Sequence, residues 1–93
     1  MLKPKDSEAL LILQEECSEV IQAVSKIFRF GLNNFKPGKP KTNIEHLEEE
    51  LGDMLCLIEI LYDRGLIRPD KIEQALEAKK HKLKIYSGLY NES

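Results

Sequence analysis

The chain of 93 residues predicts an all-α fold. Two observations carry that expectation. Apolar residues recur at helical spacing in three separate stretches, each bounded by residues that start or stop helices. No stretch shows the strict apolar and polar alternation of a half-buried strand, and there are no repeats or low-complexity tracts. The architecture expected is an antiparallel helical hairpin plus a third helix, one domain over residues 1–93, assembling into an oligomeric helical bundle.

The first helix is expected to start near Asp6 or Ser7, either a good N-cap, and to run to about Phe30. Gly31 follows, able to take the left-handed C-terminal position. The apolar stripe is Leu10, Leu13, Cys17, Val20, Val24 and Ile27, broadened by Ile21 and Phe28. A second helix is predicted from Thr42, which forms a capping box with Glu45, to about Asp63 before Gly65. Leu47, Leu51, Met54, Leu55, Ile58, Leu61 and Tyr62 make its apolar face. The connection, Gly31 to Lys41, is too rich in Pro and Gly for a helix and too long for a minimal hairpin turn, which fits a functional loop. Pro69 fits the first turn of a third helix through Ile72, Leu76 and Leu83 to about Tyr86, stopping at Gly88.

A domain of this size buries only about two-thirds of its unfolded surface. The apolar residues exceed what one short third helix can cover, so a homo-oligomer, dimer or tetramer, is expected. The formal charge of −2 lacks the clustered basic excess of a general nucleic-acid footprint. The apolar run Ala9 to Leu13 is short and leads into Gln14, Glu15 and Glu16, which fits neither a signal peptide nor a membrane span. Cys17 and Cys56 form no ligand pair and read as buried apolar thiols in a reducing cytosol. The expected location is cytoplasmic.

The most informative residues are two acidic pairs, Glu16 with Glu19 and Glu50 with Asp53. At about 100° per residue, Glu16 falls among Ala9, Ile12, Val20, Ala23 and Ile27, and Glu50 among Leu47, Met54, Leu57 and Leu61. A carboxylate on a buried face must be neutralised, paired or bound to a metal. Glu19 and Asp53 lie about 60° away, at the rims of the same arcs. In an antiparallel hairpin the two pairs come to similar levels, about 17 to 21 Å before the first helix ends and about 10 to 17 Å after the second begins. Four carboxylates with no His or Cys ligand make a hard, all-oxygen site suited to Mg²⁺, with Mn²⁺ as the substitute, rather than to zinc. A di-iron bundle would need Glu-x-x-His pairs, which neither His46 nor His81 supplies. The bland account, a solvated acidic face, suits Glu8, Glu45, Glu48, Glu59, Glu73 and Glu77. For Glu16 and Glu50 the alternative to a metal is a buried Lys or Arg partner from another helix.

The run Glu15-Glu16-Cys17-Ser18-Glu19, followed by Glu50-Leu51-Gly52-Asp53, resembles the E-E-x-x-E and E-x-x-D signature of MazG-type nucleoside triphosphate pyrophosphohydrolases. The resemblance spans roughly Leu10 to Tyr86, with an inter-motif segment on the long side for the family. It implies that Glu16, Glu19, Glu50 and Asp53 bind Mg²⁺ while Glu15 assists. It also implies hydrolysis of a (deoxy)nucleoside triphosphate to the monophosphate and pyrophosphate, in nucleotide-pool control. Two alternatives stand beside it: a phosphoribosyl-ATP pyrophosphohydrolase, and a non-catalytic helical interaction module of the same fold. In the hydrolytic reading, metal charge neutralises the polyphosphate and activates water, and a carboxylate at the metal's edge accepts the proton. Glu15 and Glu19 are both candidates for that base.

For the substrate, Lys79 is expected on the inward side of the third helix, where it either meets an anion or snorkels to solvent. Arg29, Lys36 and Lys39 are placed to reach a triphosphate, and Asn33, Asn34 and Phe35 to contact a base. His46, in the opening turn of the second helix, reads as a surface histidine.

Overall fold

A computed structural model describes residues 1–34, 38 and 40–91. It contains three α-helices, α1 (Pro4–Phe30), α2 (Asn43–Asp63) and α3 (Pro69–Tyr86), with no strand among the described residues. None of these helices is long and apolar enough to cross a membrane.

α1 begins earlier than its polar residues predict. Pro4 occupies the first turn and Lys3 serves as an N-cap without any side-chain bond. Proline has no N–H to leave unsatisfied there and its φ is already helical, so it sets the start ahead of Asp6 and Ser7. Gly31 ends the helix with φ 91° and ψ 166°, its N–H donating to the Ile27 carbonyl at 2.8 Å. This is a positive-φ, extended conformation that essentially only glycine adopts, rather than the left-handed helical one expected.

α2 opens on the predicted capping box. The Glu45 N–H donates to Thr42 Oγ1 at 3.3 Å and the Thr42 N–H to Glu45 Oε1 at 3.1 Å. It closes in a Schellman motif: Leu66 N–H to the Leu61 carbonyl and Gly65 N–H to the Tyr62 carbonyl, both 3.0 Å, with Gly65 at φ 72°. α3 starts at Pro69 and stops where the Ser87 hydroxyl and N–H both bond the Leu83 carbonyl.

α1 packs against α2, and the pair is tied at both ends. At one end Arg64 Nε donates to Asp6 Oδ1 at 2.5 Å. At the other the Ile44 N–H bonds the Leu32 carbonyl at 2.9 Å, and Asn43 Nδ2 bonds the Gly31 carbonyl at 2.8 Å. The seam between the helices buries Ala9 and Ala23 of α1 against Leu57 and Leu61 of α2, the only buried apolar residues among those described. Ile12, Val20, Ile27, Leu47 and Met54 line it, half-buried. Alanine at two seam positions lets the backbones approach, so the seam runs along the Ala9 and Ala23 line rather than through Leu10.

Several expected core residues therefore lie outside. Leu10, Ile21, Phe28 and Leu55 are exposed. Cys56 is exposed too and Cys17 half-buried, so neither is the buried thiol expected. α3 buries no residue and packs to no comparable extent against α1 or α2. Ile72, Leu76 and Tyr86 face solvent. The radius of gyration is 16.5 Å, against about 12 Å for a compact chain of this length.

Candidate metal centre

Glu16 occupies a seam position of α1, one turn from Val20 and two from Ala23 and Ala9, so the helix pair holds its carboxyl half-buried beside α2. Glu50 and Asp53, one turn apart on α2, meet it there. Ligand oxygens of Glu16, Glu50 and Asp53 all lie within 4.8 Å of one another. The Glu50 side chain is 13% exposed; Asp53 opens to solvent.

The electrostatics follow from this crowding. The Glu16 carboxyl is pushed above its ordinary value, first by removal from water and then by the negative charges of Asp53, Glu50, Glu19 and Glu15. A divalent cation bound among these carboxylates would offset their mutual repulsion and favour the charged form of Glu16. Three converging carboxylates form a hard donor set with no nitrogen or sulfur, which fits such a cation.

Of the four expected ligands, three come together and Glu19 does not. It lies on the exposed side of α1, outside the set of mutually close oxygens, though near enough for its charge to act on Glu16. Glu15 is likewise exposed. The 60° offset from Glu16 that suggested a rim position also turns Glu19 away from α2. Asp53 has the same offset on α2 and turns toward α1.

Two neighbours of the centre are not among the expected site residues. His46 Nε2 lies 3.1 Å from Glu50 Oε1, so it is a contact of the centre rather than a plain surface histidine. The i, i+4 spacing from His46 to Glu50 was the available signal. Lys41 pairs with Glu49, the residue preceding Glu50. That bond raises the Lys41 ammonium above its usual value and lowers the Glu49 carboxyl below its own, and Lys41's charge also feels Asp53. No helical periodicity announces this pair, because Lys41 precedes α2. Glu45 is lowered by its bonds with Thr42, which mark it as a capping residue rather than a ligand.

The substrate candidates are scattered. Arg29, in the last turn of α1, stacks its guanidinium 5.0 Å above the Phe30 ring. The Asn34 amide caps α1 by donating to the Phe30 carbonyl, so its side chain is engaged in ending the helix. Lys79 is exposed on α3, not inward-facing, because α3 has no packed inner side in a single chain. Asn33 is exposed, while Lys36, Lys39 and Phe35 lie outside the described residues.

The first two helices of this all-α chain thus bring three carboxylates together, with no histidine in the set. The family model of the MazG nucleotide pyrophosphohydrolase domain matches residues 5–84, and the chain belongs to that family. Comparison with curated proteins and with solved structures gave no significant match.

Proposed function

We propose that this protein hydrolyses (deoxy)nucleoside triphosphates to nucleoside monophosphate and pyrophosphate with Mg²⁺, or Mn²⁺ in its place, as a cytoplasmic homo-oligomer in nucleotide-pool control. The observation carrying this reading is the convergence of Glu16, Glu50 and Asp53 within a MazG domain. Their ligand oxygens, all within 4.8 Å of one another, form the donor set that would hold such an ion.

In this reading Glu16, Glu50 and Asp53 hold the ion. Once bound, it neutralises triphosphate charge and lowers the pKa of bound water. The chain's own residues do the rest. The half-buried seam excludes bulk water from one side of the centre, so the carboxylates face substrate from a fixed platform. Glu19 and Glu15, exposed on α1 beside Glu16, are the candidates to accept the proton of the attacking water. Arg29, Lys36 and Lys79 are the candidate phosphate contacts and Asn34 a candidate base contact. Lys79 stands on a helix that packs to no comparable extent against α1 or α2, and in our reading it contributes through assembly.

Assembly has its own support. The contacts joining α1 and α2 at both ends favour an antiparallel hairpin within one domain. Ile21, Phe28 and Leu55 on that hairpin and Ile72, Leu76 and Tyr86 on α3 are apolar and exposed in a single chain. Burial of such surface at about 25 cal/mol per Å² favours a dimer or a tetramer.

The test is pyrophosphate release from a panel of nucleoside triphosphates, with phosphoribosyl-ATP as a separate arm, for wild type, Glu50→Gln and Asp53→Asn. Each substitution removes a ligand charge and leaves the volume. Turnover should fall by more than about 100-fold, beyond the 10- to 100-fold typical of outer partners of a metal site, with helicity by circular dichroism unchanged. Wild-type turnover in either variant would refute the assignment.

A further inference from the structure

Lys41 is not among the phosphate contacts proposed above, yet the fold lays it along the edge of the centre. It stands just before α2, and its ammonium is bonded to the Glu49 carboxylate on that helix. Glu49 immediately precedes Glu50 and lies one turn before Asp53, a spacing that makes Glu49 and Asp53 neighbours on the helix surface. Glu45 stands one turn to the other side. Lys41 thus runs beside a line of three carboxylates, and its charge feels all of them. Glu45 is engaged by the Thr42 cap and Asp53 belongs to the centre, which leaves Glu49 to hold the ammonium.

That hold is weak. Both side chains are about half exposed, and an exposed ion pair adds little to stability. The ammonium can therefore leave Glu49 at small cost, and the released carboxylate turns to water. Around the centre Glu15, Glu19, Glu49 and Asp53 are all exposed. A polyphosphate arriving there meets negative charge that one divalent ion only partly offsets, and it needs a cation on the same side. Arg29 lies about 20 Å along α1 from Glu16, and Lys79 stands on α3. Lys41 is one helical turn from Asp53 through its partner.

We infer that Lys41 is a substrate-binding residue, held on Glu49 in the free protein and transferred to a non-bridging phosphate oxygen of a polyphosphate bound at the centre. This rests on the metal and hydrolase reading proposed above and adds to it an exchange of partners. Lysine suits the role as a mobile point charge with three donors, which accepts phosphate oxygens in several geometries. In a plain surface pair, by contrast, Lys41 and Glu49 serve only each other, and losing either has the same small consequence.

The probe is inorganic tripolyphosphate at saturating Mg²⁺, titrated by calorimetry, which reads phosphate contacts without base or sugar. The variants are Lys41→Met, Glu49→Gln and the two combined. Lys41→Met should weaken binding about 10-fold, the size of a lost charge-assisted hydrogen bond. Glu49→Gln should tighten it about 2- to 5-fold, because the competing exposed pair is gone. That gain should vanish in the Lys41→Met background, since the two changes act through one ammonium. Mn²⁺ affinity without polyphosphate, read by electron paramagnetic resonance, should not fall in Lys41→Met. Wild-type tripolyphosphate affinity in Lys41→Met, a Glu49→Gln gain that persists without Lys41, or a loss matched by an equal loss of Mn²⁺ affinity would each overturn the inference, as would a wild type that binds Mn²⁺ but no tripolyphosphate. Absence of Mn²⁺ binding by wild type itself would instead defeat the underlying metal reading.

Discussion

α1 and α2 differ from α3 in what they bury, not in how well they form. All three carry helical start and stop signals, and α3 opens on Pro69 and closes at Ser87 as cleanly as α2 opens on Thr42. Yet α1 and α2 close a seam around Ala9, Ala23, Leu57 and Leu61, while the 18 residues of α3 bury nothing. Isolated helices only slightly shorter than this are marginal in water. Local signals thus specify a helix, whereas its stability in a folded protein comes from a packed face. The α1 and α2 pair has that face within one chain, and the acidic centre is built there. α3 has an apolar stripe that a single chain leaves uncovered.

The sharpest way to break this contrast is to shorten one leucine on each side of it. Leu61 is only 2% exposed. Leu61→Ala should cost about 2 to 5 kcal/mol, as large-to-small core changes do. Leu76 is 44% exposed, and Leu76→Ala should stay within about 0.5 kcal/mol for the monomer. Urea unfolding at two protein concentrations reads both. If Leu76→Ala costs as much as Leu61→Ala at the higher concentration only, α3 is covered by assembly. Equal costs at high dilution would mean that α3 packs within its own chain, contrary to the fold described.

A smaller effect is expected at the far end of the seam. Asp6 is buried and bonded to Arg64, whose side chain is 31% exposed. Removing one partner of a fully buried pair costs about 3 to 5 kcal/mol. Here the guanidinium can turn to water, so Asp6→Asn should cost about 1 to 2 kcal/mol. Because Asp6 lies about 15 Å along α1 from Glu16, pyrophosphate release per folded molecule should not change. A loss of specific activity without a loss of stability would show that the two ends of the seam are coupled.

Much of this was legible in the residues themselves. Thr42 with Glu45, Pro69 and Gly65 fixed helix ends because capping chemistry is local. Glu16 and Glu50 were conspicuous because each interrupts an apolar face, and they anchor the motifs that carry the family resemblance. What escaped the sequence was long-range. Asp6 read as an N-cap, but its carboxylate is engaged 58 residues away by Arg64, and Pro4 starts the helix without it. Leu10 read as core because it falls on the apolar helical stripe, whereas the seam follows Ala9 and Ala23, since close helix approach selects small residues. Glu19 and Asp53 have equivalent offsets on their helices, and only the rotation of α1 against α2 decides that Asp53 faces the centre and Glu19 does not. For α3 the stripe was visible, but periodicity cannot say whether anything covers it.

The subtlest comparison is within the seam itself, where an acid stands in a row of apolar residues. The Glu16 carboxyl is raised in the folded, metal-free protein by partial burial and by Asp53, Glu50, Glu19 and Glu15. A raised folded pKa means the native state holds this proton more tightly than the unfolded chain. Stability from Glu16 is therefore greatest below the unfolded value, 4.5, and falls as pH rises through the folded one. Glu45 and Glu49 act in the opposite sense, because both are lowered and lose their stabilising bonds as pH falls. Comparing wild type with Glu16→Gln cancels those two groups and isolates the first. Without divalent ions the variant should melt at a higher temperature than wild type near neutrality, and that advantage should shrink toward pH 4. Added Mg²⁺ should reverse the order near neutrality, because only wild type keeps the full set of charged ligands and gains stability from binding. An advantage for Glu16→Gln that is constant with pH, or that grows in acid, would remove the electrostatic account of the centre.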